Sequence, residues 1–377
     1  MIQELEGLHL KGLYRTLRTL SDYRGTRARW EGRELLLFCG NDYLGLSQHP
    51  QIIEIVKHVL EKNGVGAGAA RLISGTSEFH TKLEEKLARF KGKERALLFG
   101  SGYLANLGVL SALAGKEDLI LMDKLSHASL IDGARLSGAT LRIFPHKDYS
   151  KCESILERSA DFRRRILVSD TVFSMDGDLA DLDQLVRIKK RYDCLLVVDD
   201  AHGTGIFGAT GKGVTEGKEE GIDVIVATLS KAFGVFGGFA AASSEWIEYF
   251  INYSRPFIFA TAPPPLLAAA ALEALKLIEG NSSLREKLWQ NVEKVQQFFE
   301  ARGFEFENSS PIFPIILGEE TRAVQISEKL LERGILIPAI RYPSVPKGRA
   351  RLRLTVSAAH TEEDFQKLFQ ALSEVLQ

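Results

Sequence analysis

Residues 223–241 read DVIVATLSKAFGVFGGFAA. Val224–Thr228 is apolar almost throughout, the pattern of a strand covered on both faces, as parallel strands are. Lys231 follows three residues later, ahead of Gly234, Gly237 and Gly238. A lysine taken alone reads as a solvated surface charge. Held in apolar surroundings, it favours the neutral amine, the form that attacks an aldehyde. Gly237 and Gly238 would let backbone pass close to a planar ring.

Working outward, further strands are expected at Arg95–Phe99, Leu119–Met122, Leu141–Phe144, Ile166–Ser169, Leu195–Asp199 and Phe239–Ala242. Helical patterns alternate with them, such as Ser77–Lys91, where Phe79, Leu83, Leu87 and Phe90 recur at helical spacing and Gly92 ends the run. This alternation predicts an α/β architecture with a mostly parallel, seven-stranded, doubly covered sheet. The character shifts near residue 275. A helix through Leu284, Leu288, Val292, Val295 and Phe299 is expected, then strands at Phe304–Phe306 and Ile312–Leu317. A helix over Arg322–Arg333, strands near Ile335 and at Arg351–Val356, and a last helix capped by Thr361 with Asp364 follow. The expected division is an N-terminal segment 1–45, a large domain 46–275 and a smaller α+β C-terminal domain 276–377.

Bulk properties narrow the function. A formal net charge of −1 gives no basic field for nucleic acid or an acidic membrane. Cys39, Cys152 and Cys194 are scattered without C-x-x-C spacing, which suits a reducing compartment and gives no zinc site. The N-terminus lacks an apolar signal core, and the most apolar long stretch, 266–278, is too short to span a bilayer. A cytoplasmic protein without a membrane anchor is expected.

Other residues could join Lys231. In LLVVDDAHGTGIFG, residues 195–208, a strand delivers Asp199 to its C-terminal end, where α/β ligands bind. A carboxylate there could pair with a pyridinium nitrogen, and His202 could reach the ring's phenolic oxygen. Asp200 would point to the opposite side if the strand period continues, so it is given no role. His127 follows a strand and could stack on a planar cofactor. Ser101, Gly102 and Tyr103 open a helix whose free N–H groups suit a phosphate, and Thr228 and Ser230 could add hydroxyls. Gly203–Gly208 matches G-x-G-x-x-G, but its glycines follow a polar turn and open no helix, so dinucleotide binding is rejected. The eight histidines show no H-E-x-x-H or similar spacing, so metal catalysis has no support.

Together these segments resemble the α-oxoamine synthases, a branch of the fold-type I pyridoxal-phosphate transferases. The resemblance runs from Asn41–Leu46 to Ala358–His360. It rests on SGT at 74–76, SGY at 101–103, LSHAS at 125–129, FSMDGD at 173–178, VDDAHGTG at 198–205, TLSKAFG at 228–234 and RLRLT at 351–355. It implies that Lys231 holds the cofactor, that Asp199 pairs with its ring nitrogen and His202 with its phenolic oxygen, and that His127 stacks on it. It implies that Ser101, Gly102, Tyr103, Ser174 and Thr228 line the cofactor, and that Asn41, Arg353 and Thr355 meet the substrate. Arg18, by ungapped spacing back from Trp30, would bind the acyl group's distal carboxylate. The implied reaction joins an amino acid, L-alanine in the biotin-pathway branch, to an acyl thioester on coenzyme A or acyl carrier protein. The implied homodimer has its active site at the subunit boundary, with Ser74–Ser77 serving the neighbour. Asp170 departs from the glutamate expected there, and Thr171 and Ser230 replace glycines. Glycine C-acetyltransferase and 5-aminolevulinate synthase share much of the pattern. An aminotransferase on the same fold, a dehydrogenase and a non-catalytic binding protein are the rivals from other classes.

Overall fold

A computed structural model describes residues 2–10, 13–304, 306 and 310–376. The chain divides into two compact units, one of residues 46–173 and 179–282, the other of residues 1–45, 174–178 and 283–377.

The larger unit is built on seven strands: β1 (Arg95–Phe99), β2 (Leu119–Asp123), β3 (Thr140–Phe144), β4 (Arg165–Asp170), β5 (Leu195–Asp199), β6 (Val224–Thr228) and β7 (Gly238–Ala242). Each lies within one residue of its expected ends. Their order is β1-β7-β6-β5-β4-β2-β3. Strand β7 runs antiparallel to both neighbours, and the other pairings in the sheet are parallel.

Period-two alternation sends successive side chains to opposite faces. Ile166, Val168, Val197, Val224 and Val226 pack on one face, against Ala105, Val109 and Leu113 of helix Gly102–Leu113. Leu167, Leu196, Val198 and Ile225 pack on the other, with Leu185 and Ile188 of helix Leu182–Tyr192. Continued to the strand ends, this parity puts Asp170, Asp199 and Thr228 on the first face. Thr171 and Asp200 fall on the second.

The smaller unit holds two sheets. Ala350–Thr355 is the central strand of a three-stranded antiparallel sheet, between Ile312–Gly318 and Ala339–Ile340. The last helix begins as expected, with Thr361 and Asp364 capping each other reciprocally. The strand expected at Phe304–Phe306 includes residue 305, outside the described residues. Residues 1–45, expected as a separate segment, belong to this unit instead. Ser21–Arg24, Arg27–Trp30 and Arg33–Leu37 form an antiparallel meander, and Arg33–Leu37 pairs in parallel with Ile335–Leu336. Among the described residues, no helix is long and apolar enough to cross a membrane.

Candidate active site

Strands β4 and β5 bring two carboxylates into register at their C-terminal ends, Asp170 beside Asp199. Asp199 is buried and fixed on both oxygens: Asn106 Nδ2 donates to Oδ2 at 2.6 Å, and the Ala201 N–H donates to Oδ1 at 2.9 Å. Asn106 also donates to Ser129 Oγ at 2.9 Å. Asp170 accepts the His127 N–H at 3.0 Å. Burial holds the Asp170 carboxyl well above its ordinary pKa of 3.8, and the charge of Asp199 raises it further. Two adjacent carboxylates do not both ionise easily, and the two donors on Asp199 leave the strain of the pair on Asp170. The aspartate in place of the expected glutamate therefore still holds His127 by its main chain.

His127 caps helix Ala128–Ser137, its Nδ1 lying 2.7 Å from Ser129 Oγ. Part of its ring stays open, standing edge-on to Tyr103 with centroids 6.4 Å apart. The protein packed around it lowers its pKa from 6.5. Asp199 opposes that shift, and the Lys231 cation adds to it. Both residues lie close enough to act on the imidazole. Lys231 is half-buried three residues past β6, and His202 is buried in the turn after β5. The Tyr103 hydroxyl bonds to Asp132.

The glycine-rich stretch after β5 has a structural cause. Asp200 points to the opposite sheet face, fully buried, where Lys91 Nζ lies at 2.8 Å and Thr171 and Thr204 donate at 2.6 and 2.9 Å. Lys91 also bonds to Thr215 Oγ1 and the Lys212 carbonyl. A Cβ on Gly203 or Gly213 would collide with the Asp200 carboxylate. The apparent dinucleotide fingerprint is the wrapping of a buried ion pair.

Past the end of edge strand β1, Ser101 Oγ caps helix Gly102–Leu113 by accepting from Leu104. The N–H groups of Gly102 and Tyr103 precede the helical ladder. Gly238 on β7 lets this turn approach, since a Cβ there would meet the Gly102 nitrogen. The Thr228 hydroxyl donates to the Gly237 carbonyl at 2.9 Å and accepts from the Ser230 N–H, tying the glycine loop to the strand before Lys231.

In the smaller unit, Arg353 is buried with Nε donating to the Ser174 carbonyl at 2.6 Å and Nη2 to Asn41 Oδ1 at 3.3 Å. Tyr43 beside it donates to Asn41 Oδ1, and burial pushes its phenol up to about 12 against the pull of Arg353. Arg351, two residues away on the same strand face, holds the Met175 carbonyl and Asp176. Together the two arginines fasten segment 174–178 to this unit. Thr355 is buried and its hydroxyl donates to the Gly40 carbonyl, tying this strand to the turn that carries Asn41. Arg18 is exposed, its guanidinium 5.0 Å from the Trp30 ring centroid. Burial raises Cys39 to about 11, while Arg353 and Arg18 both pull it down, so both cations lie near that thiol.

Sequence reading missed Asn106 and Arg351. The first signals itself as a polar residue inside the apolar helix GYLANLGVL, and the second by alternation in RLRLT.

The donor set fits pyridoxal phosphate. It offers a fixed carboxylate for a ring nitrogen, an imidazole edge, a lysine, and a glycine turn at a helix N-terminus for the phosphate. The buried Asn106 Oδ1, unpartnered among the described residues, leaves an acceptor open beside Asp199.

Residues 33–372 match the aminotransferase class I and II family. The 8-amino-7-oxononanoate synthase of Citrifermentans bemidjiense is 44% identical over 99% of this chain and 97% of its own. A putative 8-amino-7-oxononanoate synthase of Desulforudis audaxviator is 46% identical over 100% and 98%. Among solved structures, a variant serine palmitoyltransferase from S. paucimobilis with bound PLP–myriocin aldimine aligns with TM-score 0.93 at 30% identity, covering 99% of this chain and 96% of that one.

Proposed function

This chain belongs to the aminotransferase class I and II family, in its α-oxoamine synthase branch, and we propose that it makes 8-amino-7-oxononanoate for biotin synthesis. The substrates are L-alanine and a pimeloyl thioester of coenzyme A or acyl carrier protein. A carbon–carbon bond forms between the alanine Cα and the acyl carbon. The carrier thiol leaves, and the alanine carboxylate departs as carbon dioxide. The observation that carries this reading is the Asp199 carboxylate, locked by Asn106 on the same sheet face as Thr228, just ahead of Lys231.

Pyridoxal phosphate, when bound, supplies the electron sink for the bond-breaking at Cα. Lys231 holds it between turnovers, and its amine takes and returns the Cα proton. Asp199 holds the ring nitrogen's proton, and His202 orients the phenolic oxygen. Ser101, Gly102, Tyr103, Ser174 and Thr228 are assigned to the cofactor and its phosphate. Burial lowers the His127 pKa and so favours the neutral imidazole, whose ring N–H can donate to the acyl carbonyl oxygen. Arg353 grips the alanine carboxylate with Asn41 steadying its fork, and Arg18 takes the distal carboxylate of the acyl chain.

The enzyme works as a homodimer in the cytoplasm. Val65, Leu72, Ile73, Phe236 and Phe259 stand exposed on the larger unit, apolar side chains that a second subunit would cover. The three cysteines are all free, as suits a reducing compartment.

The test is free-thiol release by the purified holoenzyme, with amino acids screened against acyl-CoA donors. L-alanine with pimeloyl-CoA should be the best pair. The likeness to serine palmitoyltransferase favours a second reading with a different amino acid and acyl chain, and the same screen separates the two.

A further inference from the structure

His127 is the N-cap of helix Ala128–Ser137, and Ser129 is the second residue inside it. The N–H groups of a first helical turn have no intrahelical acceptor, and the side chain before the helix commonly supplies one. Here the supplier is an imidazole. The Ser129 N–H donates to His127 Nδ1 at 3.3 Å, and Ser129 Oγ lies 2.7 Å from the same nitrogen. A ring nitrogen that accepts carries no proton, and a main-chain N–H can only donate. The start of the helix therefore makes Nδ1 the bare nitrogen.

The direction of the Ser129 hydroxyl is fixed from its other side. Asn106 Nδ2 lies 2.6 Å from Asp199 Oδ2 and 2.9 Å from Ser129 Oγ. A carboxylate offers only acceptors, so the amide turns its NH2 toward Asp199, and the second hydrogen of that NH2 goes to Ser129 Oγ. The Asn106 carbonyl oxygen is left buried without a partner among the described residues, an outcome that an amide free to turn would avoid. With its oxygen occupied as an acceptor, the Ser129 hydroxyl aims its own hydrogen at His127 Nδ1. Asn106, Ser129 and Asp199 are all buried, so solvent has little access to these bonds. Asp170 holds the His127 main chain in place by accepting its N–H at 3.0 Å.

We propose that Ser129, oriented by Asn106 and through it by Asp199, is a positioning residue that fixes His127 as the tautomer with its proton on Nε2. A row of three hydrogen bonds then joins the carboxylate assigned to the cofactor's ring nitrogen to the imidazole assigned to its face. The proposal rests on the reading above in which His127 donates to the acyl carbonyl, and it specifies which nitrogen donates and what keeps the proton there. Burial of the imidazole also disfavours its cation, in which both nitrogens would be donors.

Heteronuclear NMR of the histidine ring nitrogens in the holoenzyme tests it, with His127 identified as the signal that His127→Gln lacks. Wild type should show a neutral ring protonated at Nε2. Ser129→Ala removes the hydroxyl and keeps the N–H, and should let a measurable Nδ1-protonated fraction appear. A wild-type ring protonated at Nδ1, or on both nitrogens, overturns the proposal. A folded Ser129→Ala whose ring resonances match wild type does so as well. Free-thiol release by the same variant reads the role of His127. Its kcat/KM for pimeloyl-CoA should fall severalfold, up to about tenfold, while exchange of the alanine α-proton, which involves no acyl group, keeps its rate. Equal slowing of both would make Ser129 a support of the whole site and overturn it as a positioning residue for His127. A tautomer that moves while kcat/KM holds keeps the proposal and removes His127 from the acyl carbonyl.

Discussion

Asp199 and Asp200 are chain neighbours with opposite fates. Asp200 lies in a closed cage, its oxygens shared among Lys91, Thr171, Thr204 and the Val214 N–H, with glycines pressed against it. Asp199, one residue earlier and on the other sheet face, has Asn106 and the Ala201 N–H, with a second carboxyl alongside. The cage neutralises its charge completely and is finished as a structure. The Asp199 side is less closed: its two donors are an amide and a main-chain N–H, and the Asn106 Oδ1 beside it has no partner among the described residues. The difference teaches where stability ends and chemistry begins: a buried charge with every partner supplied holds the fold, and one without a full countercharge is held ready for a ligand.

The largest effect that sharpens the contrast lies on the Asp199 side. Lys231→Ala should fold normally, lose the yellow absorbance of the lysine-linked cofactor, and lose turnover by at least about a thousandfold. A variant that kept both would remove the lysine from its role. On the Asp200 side the effect falls on stability. Lys91→Met leaves Asp200 buried without its cation and should cost about 3–5 kcal/mol, read from denaturant unfolding. A variant unfolding at the wild-type midpoint would mean that the cage is ornamental.

Parity along the strands is what made the contrast legible in sequence. Leu195–Asp199 alternates regularly, so its continuation sends Asp200 away from Asp199, and the structure agrees. The seven strands were legible for the same reason, since each is a short apolar run bounded by turn residues. The N-terminal meander was not. Ser21–Arg24 is exposed throughout, and the pairing of Arg33–Leu37 with distant Ile335–Leu336 leaves no local pattern. Asn106 meets Asp199 across 93 residues of sequence, and Arg353 meets Ser174 across 179. Contacts of that range come from topology, which residue spacing does not encode. The bond from Thr355 to the Gly40 carbonyl was equally illegible, because a hydroxyl looks the same in sequence whatever its proton meets.

Smaller effects extend the comparison to specificity and pH. Arg18→Leu should lower kcat/KM for pimeloyl-CoA roughly ten- to hundredfold, at about 1.5–3 kcal/mol for a charged contact, with a neutral acyl-CoA of matched length unaffected. Equal losses on both donors would deny Arg18 the distal carboxylate. The smallest effect belongs to Asp170. Its folded pKa is raised, so the folded protein keeps a proton that the unfolded chain releases above pH 3.8. That mismatch costs stability, and the cost grows with rising pH until the folded carboxyl ionises. Asp170→Asn keeps an acceptor for the His127 N–H without the mismatch. Its Tm should exceed wild type by a margin that widens as the pH rises above 3.8. A variant less stable than wild type at pH 7 would show that Asp170 is valued for its charge.

The most direct test of the Asp199 side is exchange of the alanine α-proton with deuterium from solvent, followed by NMR without any acyl donor. Wild-type holoenzyme should exchange it readily. Asp199→Asn should retain the cofactor, unfold at the wild-type temperature and exchange at least about a hundredfold more slowly, because an amide cannot stabilise a protonated ring nitrogen by charge. Exchange at the wild-type rate in that variant would contradict the assignment of Asp199 as the ring's partner.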